Sequence, residues 1–367
     1  MTHPRGRIQA PALPDPLPGE EILQIEGLRV EFRRGQARTQ ALRGVDLSLR
    51  AGRVLGVAGE SGSGKTTAAL AAMGLLPRGA SVAGSVRYRG TDLLTLSERE
   101  LRTYRGRHLA MIFQETSSAL NPVMRIGDQL LMAARAHTAG SKAEARQRVI
   151  DALADVRLPD YERVMASYPH ELSGGMCQRV IIAMALSCGS RVLFADEPTT
   201  ALDVSVQEEI LELIRGLVGK RQLAVMMISH DLAVLAEICD ELAVMYRGEV
   251  VESGAVGDTL AKPAHPYTQA LLDCLPRLDE QQDMLPELRP AEIGVGEAGE
   301  CLFRPRCAFA VDKCHEAPPF TAVEAGRSAR CWRSAELLGG APGAAATPHD
   351  QHVDAANTLA GNHGRGN

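Results

Sequence analysis

Gly59-Glu60-Ser61-Gly62-Ser63-Gly64-Lys65-Thr66 is the stretch around which the rest of this chain is read. It satisfies the pattern G-x-x-x-x-G-K-[ST], in which backbone N–H groups turn inward to cradle a polyphosphate. Before it stands the apolar run Val54-Leu55-Gly56-Val57-Ala58, expected as a buried strand, and after it the alanine-rich stretch Ala68 to Leu76, expected as a helix. Strand, glycine turn and helix start together offer an anion both free amides and the positive end of the helix dipole. Lys65 is expected to reach the outer phosphates and the Thr66 hydroxyl to ligate magnesium. Gly59, Ser61, Gly62, Ser63, Gly64 and Thr67 complete the expected nucleotide-binding set. Loops of this kind serve kinases, GTPases and many ATPases, so the surrounding sequence has to choose among them.

At 367 residues the chain exceeds the usual size of a single core, which predicts one large domain with an appendage or two domains. Apolar residues make up 45%, ample for a core, and a formal charge of −5 with both signs scattered argues against a dedicated nucleic-acid surface. The longest apolar runs, Val180 to Cys188 and Leu223 to Ile228, fall well short of the roughly 18 residues that span a bilayer. The N-terminus has no apolar signal core and carries the proline-rich run Pro11 to Pro18, so a cytosolic, reducing compartment is expected. In such a compartment the eight cysteines are not read as disulfides. Residues 1–20 read as a disordered lead-in. Those from about 334 onward, rich in Gly, Ala, Asn and His, read as a disordered tail.

Between these ends the pattern alternates. Ile22 to Phe32 and Ala41 to Leu49 read as strands, as do Ser81 to Tyr88 and Leu109 to Phe113, the last ending at Gln114. Glu115 to about Leu158 reads as mostly helical, with a capping box at Ser141-Lys142-Ala143-Glu144. A helix from about Gly175 to Leu186 leads to the strand Val192 to Asp196. Ser205-Val206-Gln207-Glu208 reads as a second capping box for a helix whose apolar face is Val206, Ile210, Leu213 and Leu217. The strand Leu223 to Ser229 ends at His230, Glu241 to Val251 reads as a hairpin, and Pro263, Pro266, Pro276, Pro286 and Pro290 read as irregular connections. The fold class is therefore α/β, a largely parallel sheet covered on both faces with ligands at the strands' carboxyl ends.

Asp196-Glu197 is the expected partner of the phosphate loop. Asp196 ends an apolar strand and can hold magnesium, while Glu197 can orient or deprotonate an attacking water. Farther on, Leu172-Ser173-Gly174-Gly175-Met176-Cys177-Gln178-Arg179 places a serine and two glycines at a helix start, a second anion cradle. At this point the chain resembles the ATP-binding subunits of ABC transporters. The resemblance rests on the phosphate loop, a Q-loop glutamine at Gln114, the signature at Ser173 to Gln178 and the carboxylates Asp196 and Glu197. It extends to the D-loop Ala201-Leu202-Asp203 and the switch histidine His230. More narrowly the chain looks like the oligopeptide and dipeptide importer branch, which also serves nickel, through Ser118 to Val123, Glu197 to Val204 and His265-Pro266-Tyr267-Thr268. Two departures are Glu115-Thr116 in place of the usual Asp-Pro, and Cys177 in place of the commoner arginine.

The resemblance implies an ABC-type ATPase domain over residues 21–260, with a mainly parallel central sheet, an antiparallel β subdomain and a helical subdomain at about 115–172. It also implies that two subunits, identical or related, sandwich two ATP molecules, so that Ser173, Gly174, Gly175, Gln178 and Asp203 of one serve the nucleotide of the other. Phe32 would stack on adenine, Thr66, Gln114 and Asp196 would arrange magnesium, Glu197 would act on water and His230 would hold the γ-phosphate. Integral membrane permease subunits, an extracytoplasmic solute-binding protein acting indirectly, and a peripheral position on the cytoplasmic face of the inner membrane follow from the same resemblance. A soluble ABC ATPase acting on DNA or ribosomes would need a long coiled-coil insertion or a second cassette; a module that does not hydrolyse ATP would not need Glu197 and His230.

Cys301, Cys307, Cys314 and Cys331 stand apart from the scattered cysteines, with spacings C-x5-C-x6-C-x16-C. Four thiolates can hold zinc tetrahedrally, although the tight knuckles usual for zinc are missing. The resemblance points instead to a four-iron four-sulfur cluster in a small C-terminal extension at 261–333, with a bracing role.

Overall fold

The computed structural model describes residues 13–35, 37–114, 119–137, 140–200, 202–274 and 299–339. The expectations for the beginning of the lead-in, for Ala201, for Glu115 to Ser118, for Pro276, Pro286 and Pro290, and for the tail beyond 339 lie outside them. The chain forms two compact units, one from Met1–Leu55 with Thr66–Ser229 and one from Gly56–Lys65 with His230–Asn367. The chain passes between them inside strand β3 (Arg53–Ala58), after the first residue of helix α1 (Lys65–Ala72) and again between Ser229 and His230.

In the first unit β1 (Glu21–Arg34) and β2 (Ala37–Arg50) form a long antiparallel pair with several bulges. They join β4 (Ser81–Tyr88) and β5 (Thr91–Asp92) in an antiparallel sheet of order β2-β1-β4-β5. After α2 (Glu98–Tyr104), the strands β6 (Leu109–Ile112), β7 (Val192–Asp196) and β8 (Ala224–Ile228) pair in parallel. Every residue of β7 and β8 is buried, which is why they read as unbroken apolar runs: a parallel sheet has helices on both faces and leaves no polar side. The helical stretch holds α3 (Ile126–His137), α4 (Lys142–Asp155), α5 (Tyr161–Ala166) and α6 (Gly174–Cys188). The expected box at the start of α4 forms, Ser141 accepting from the Glu144 N–H and Glu144 reaching back.

The second expected box does not form. Helix α7 (Val204–Arg221) is capped by Asp203, whose carboxylate accepts from the Val206 N–H at 3.0 Å. Ser205 sits inside the first turn and donates its hydroxyl to Asp203 at 2.7 Å. A carboxylate two residues earlier is in the right place to receive an orphan amide, and a serine already inside the helix is not.

The second unit carries α8 (Leu232–Ile238) and the hairpin β9 (Glu241–Tyr246) and β10 (Glu249–Ala255), extended by β12 (Arg327–Ala329) and β11 (Thr321–Glu324) in antiparallel order. Short α9 (Val256–Ala261) is followed by α10 (Pro266–Asp273). Pro266 therefore starts a helix rather than an irregular connection, because a proline at the first helical position loses no bond, and the His265 imidazole accepts the Tyr267 N–H at 3.0 Å. Ser334–Gly339 forms a further helix, α11, where disorder was expected. Leu338 is buried in a small cluster with Ala264 and Ala329, and that contact holds the turn in place. Among the described residues no helix is long and apolar enough to cross a membrane.

Candidate functional site

The second unit holds the phosphate loop as far as Lys65. Three of its glycines take positive φ: 143° at Gly59, 78° at Gly62 and 106° at Gly64. At Gly59 an added Cβ would lie 2.2 Å from the Met245 carbonyl oxygen, so the loop can pass this close to β9 only without a side chain. Ser63 is 3% exposed and its hydroxyl has no hydrogen-bond partner among the described residues, while its N–H donates to the Glu60 carbonyl and its own carbonyl accepts from Gly248. Lys65 is 7% exposed, and its ammonium donates to the carbonyls of Gly59 at 2.6 Å and Glu60 at 2.9 Å. A buried ammonium inside a ring of loop atoms and a buried hydroxyl without a partner suit a bound phosphate.

The first unit holds the carboxylates. Asp196 ends β7 and is 6% exposed. Glu197 follows in a left-handed conformation, φ 48°, with its N–H donating to the Ile228 carbonyl. That backbone is uncommon away from glycine. The strand ends at Asp196, and the two adjacent acids have unlike surroundings, one buried and one half-exposed. Glu197 accepts from the Gln114 amide at 2.8 Å and from the Thr200 hydroxyl at 3.1 Å. The structure thus brings Gln114 and Glu197 together. Thr66 is exposed at the start of α1 and Thr67 is half-buried. Asp203 is held below the usual carboxylate range by the Val206 amide and the Ser205 hydroxyl that bond to it. Phe32 is half-buried on β1 opposite Thr39, and His230 is exposed.

The second cradle differs. Ser173 caps α6, accepting from the Met176 N–H at 3.3 Å, and both Ser173 and Gly174 are exposed, with Gly175 half-buried. Gln178, expected with them, is wholly buried. It lies one helical turn from Ile181 and Ile182, on the face that α6 turns inward, and this removes it from the exposed helix start.

In the second unit Cys301, Cys307, Cys314 and Cys331 line one cavity with Phe303, Phe309 and Trp332. The Cys301 N–H donates to the Cys314 carbonyl at 3.1 Å. Burial raises the thiols, Cys307 to about 11 and Cys331 to about 12. Among the described residues no three His, Cys, Asp or Glu side chains gather so as to hold a metal ion.

Sequence reasoning missed two residues behind the phosphate loop, Tyr267 and Arg306. The Glu60 N–H donates to the Tyr267 hydroxyl at 2.8 Å. The Glu60 carboxylate accepts two bonds from the Arg306 guanidinium, at 2.6 and 2.9 Å. Arg306 lies 5.7 Å from the Tyr246 ring and 5.8 Å from the Phe303 ring, in a box closed by Tyr267. Tyr267 and Arg306 each fall in a segment noted for its resemblance, but nothing local couples them to a residue more than 200 positions away.

The profile of ABC transporters matches residues 42–200, and that of the C-terminal region of oligopeptide/dipeptide transporters matches residues 251–314. The chain is 44% identical over 326 residues to the oligopeptide transport ATP-binding protein OppD of Salmonella typhimurium, covering 88% of this chain and 97% of that one. It is 42% identical over 313 residues to the dipeptide transport ATP-binding protein DppD of Escherichia coli, covering 84% and 96%. A solved dimer of the ATP-binding cassette MJ0796, in a post-hydrolysis state bound to ADP and Pi, superposes with a TM-score of 0.56 at 26% identity, covering 64% of this chain and 99% of that one. Relatives aligned over nearly their whole length, on a cassette fold with its motifs in order, settle the family: this chain belongs to the ATP-binding, ATP-hydrolysing subunits of ABC transporters, in the oligopeptide and dipeptide branch.

Proposed function

We propose that this chain drives peptide import by hydrolysing ATP as one of two ATPase subunits seated on integral permease subunits at the cytoplasmic face of the inner membrane, with an extracytoplasmic solute-binding protein delivering the cargo. The observation that carries this reading is the pairing of near full-length relatives named for peptide transport with a phosphate loop, Asp196-Glu197 and His230 in order along the chain. Lys65, Ser63 and the loop amides bind phosphate; Thr66, Asp196 and Gln114 arrange magnesium. Glu197, half-exposed and oriented by Gln114 and Thr200, acts as base toward water. Phe32 stacks on adenine and His230 holds the γ-phosphate. Ser173, Gly174, Gly175 and Asp203 complete the site of a second subunit, so closure couples chemistry to motion. Glu197→Gln is expected to keep ATP binding while turnover in the assembled transporter falls by about 10²–10⁴-fold. Hydrolysis near the parental rate would remove Glu197 from that role.

The 261–333 extension is proposed to hold a four-iron four-sulfur cluster. Its support is one cavity lined by all four cysteines. Protein prepared without oxygen should contain iron and acid-labile sulfide, both lost in Cys307→Ser; one equivalent of zinc, or no metal, would overturn the cluster.

A further inference from the structure

The phosphate loop contains an acid. Glu60 lies between Gly59 and Ser61, inside the turn that receives a polyanion, and a carboxylate there opposes the ligand unless something neutralises it. Arg306 does so with both arms of its fork, while its side chain is 4% exposed in the box formed by Tyr246, Tyr267 and Phe303. Tyr267, itself wholly buried, fixes the Glu60 backbone from the same side. Carboxylate and amide of one loop residue are thus held by two side chains from distant parts of the sequence. Arg306 in turn is set by its neighbours: its N–H donates to the Phe303 carbonyl at 2.9 Å and the next residue, Cys307, lines the four-cysteine cavity.

We propose that Arg306 is a positioning residue for ATP, holding Glu60 neutralised and the phosphate loop in its receiving shape, so that the cysteine segment sets the nucleotide affinity of this subunit. The proposal rests on the reading of Gly59 to Thr66 as the phosphate site. A guanidinium suits the role better than an ammonium, because two parallel bonds fix the carboxylate's orientation as well as its charge. Loss of the fork leaves a partly buried, uncompensated carboxylate beside the phosphate site, which weakens binding of substrate and transition state alike and so raises KM more than it lowers kcat.

Binding of magnesium ATP to the full-length chain, and KM and kcat in the assembled transporter, test this. Arg306→Gln is expected to weaken binding roughly tenfold and raise KM in step, with kcat within about twofold. Arg306→Lys should recover part of the loss. Adding Glu60→Gln to Arg306→Gln should recover most of it, since the unneutralised charge is then gone; damage that merely loosens the extension would not be repaired by a change in the loop. Parental affinity in Arg306→Gln overturns the proposal, as does a loss that Glu60→Gln leaves untouched. If Arg306→Gln does not fold, Arg306→Lys decides, and affinity equal to the parental value overturns the proposal. Lys65→Ala separates the two readings: if it too binds ATP normally, the phosphate-site reading has failed, whereas its loss of binding beside a normal Arg306→Gln sinks the positioning role alone.

Discussion

The two anion cradles of this chain use the same chemistry, small residues at a helix start, and are finished to different degrees. The phosphate loop is backed by Tyr267, Arg306 and the Met245 carbonyl, and its lysine is buried among its own carbonyls. Ser173 and Gly174 stand exposed, with one capping bond from Ser173 to the Met176 amide. A braced, buried cradle is preorganised and can bind its ligand alone. An exposed helix start offers amides and a dipole that water already satisfies, worth only about 0.3–1 kcal/mol until something covers it. Phosphate-binding sequence and phosphate-binding capacity are thus separate properties, the second conferred by what lies behind the loop.

Lys65→Ala should break the comparison on the braced side, weakening ATP binding by the lone subunit by on the order of a hundredfold, because it removes the charge that faces the phosphates. Equilibrium binding would check it, and near-parental affinity would mean that this loop is not the phosphate site. Ser173→Arg addresses the exposed side. It should leave affinity of the lone subunit within about twofold while turnover of the assembly drops at least about tenfold, since a bulky cation at the helix start displaces an anion site completed only on association. Lost affinity in the lone subunit would place this cradle in its own site and erase the distinction. The smallest effect belongs to Tyr267→Phe, which leaves the Glu60 N–H without its acceptor. About 1 kcal/mol of loop stabilisation should disappear, seen as a two- to fivefold rise in KM for ATP; an unchanged KM would show that Arg306 suffices.

Much of the fold was legible in the sequence because its cues are short. The fully buried strands β7 and β8, the parallel sheet they belong to and the hairpin β9–β10 all follow from runs and alternations of a few residues. Misreadings came where two local rules competed. Ser205 and Asp203 are both capping residues two positions apart, and only the start of α7 decides between them. Gln178 lies in the signature stretch, yet helical period assigns it to the inward face with Ile181 and Ile182. The α11 turn depends on Leu338 meeting Ala264 and Ala329, a contact invisible to a window of ten residues. The site divides the same way. The residues that meet nucleotide in the proposed reaction sit in contiguous motifs, whereas Glu60, Tyr267 and Arg306 come together only through folding, and no periodicity reports a pair 246 residues apart.

Gly59 carries a genetic consequence. Any codon change there that alters the amino acid adds a Cβ, and the Met245 carbonyl oxygen stands 2.2 Å from where that atom must go. Alanine, the mildest replacement, meets the same backbone atom as the largest, and a backbone carbonyl in a paired strand cannot swing aside as a side-chain end can. In a saturation scan scored by growth on imported peptide, this codon should therefore show no graded tolerance by size, only silent changes surviving, whereas at Gly62 an added Cβ would meet nothing within 4 Å and only the φ of 78° opposes replacement, so asparagine and aspartate should be the changes best tolerated. The pattern of survivors along eight codons would then trace where the strand behind the loop presses against it.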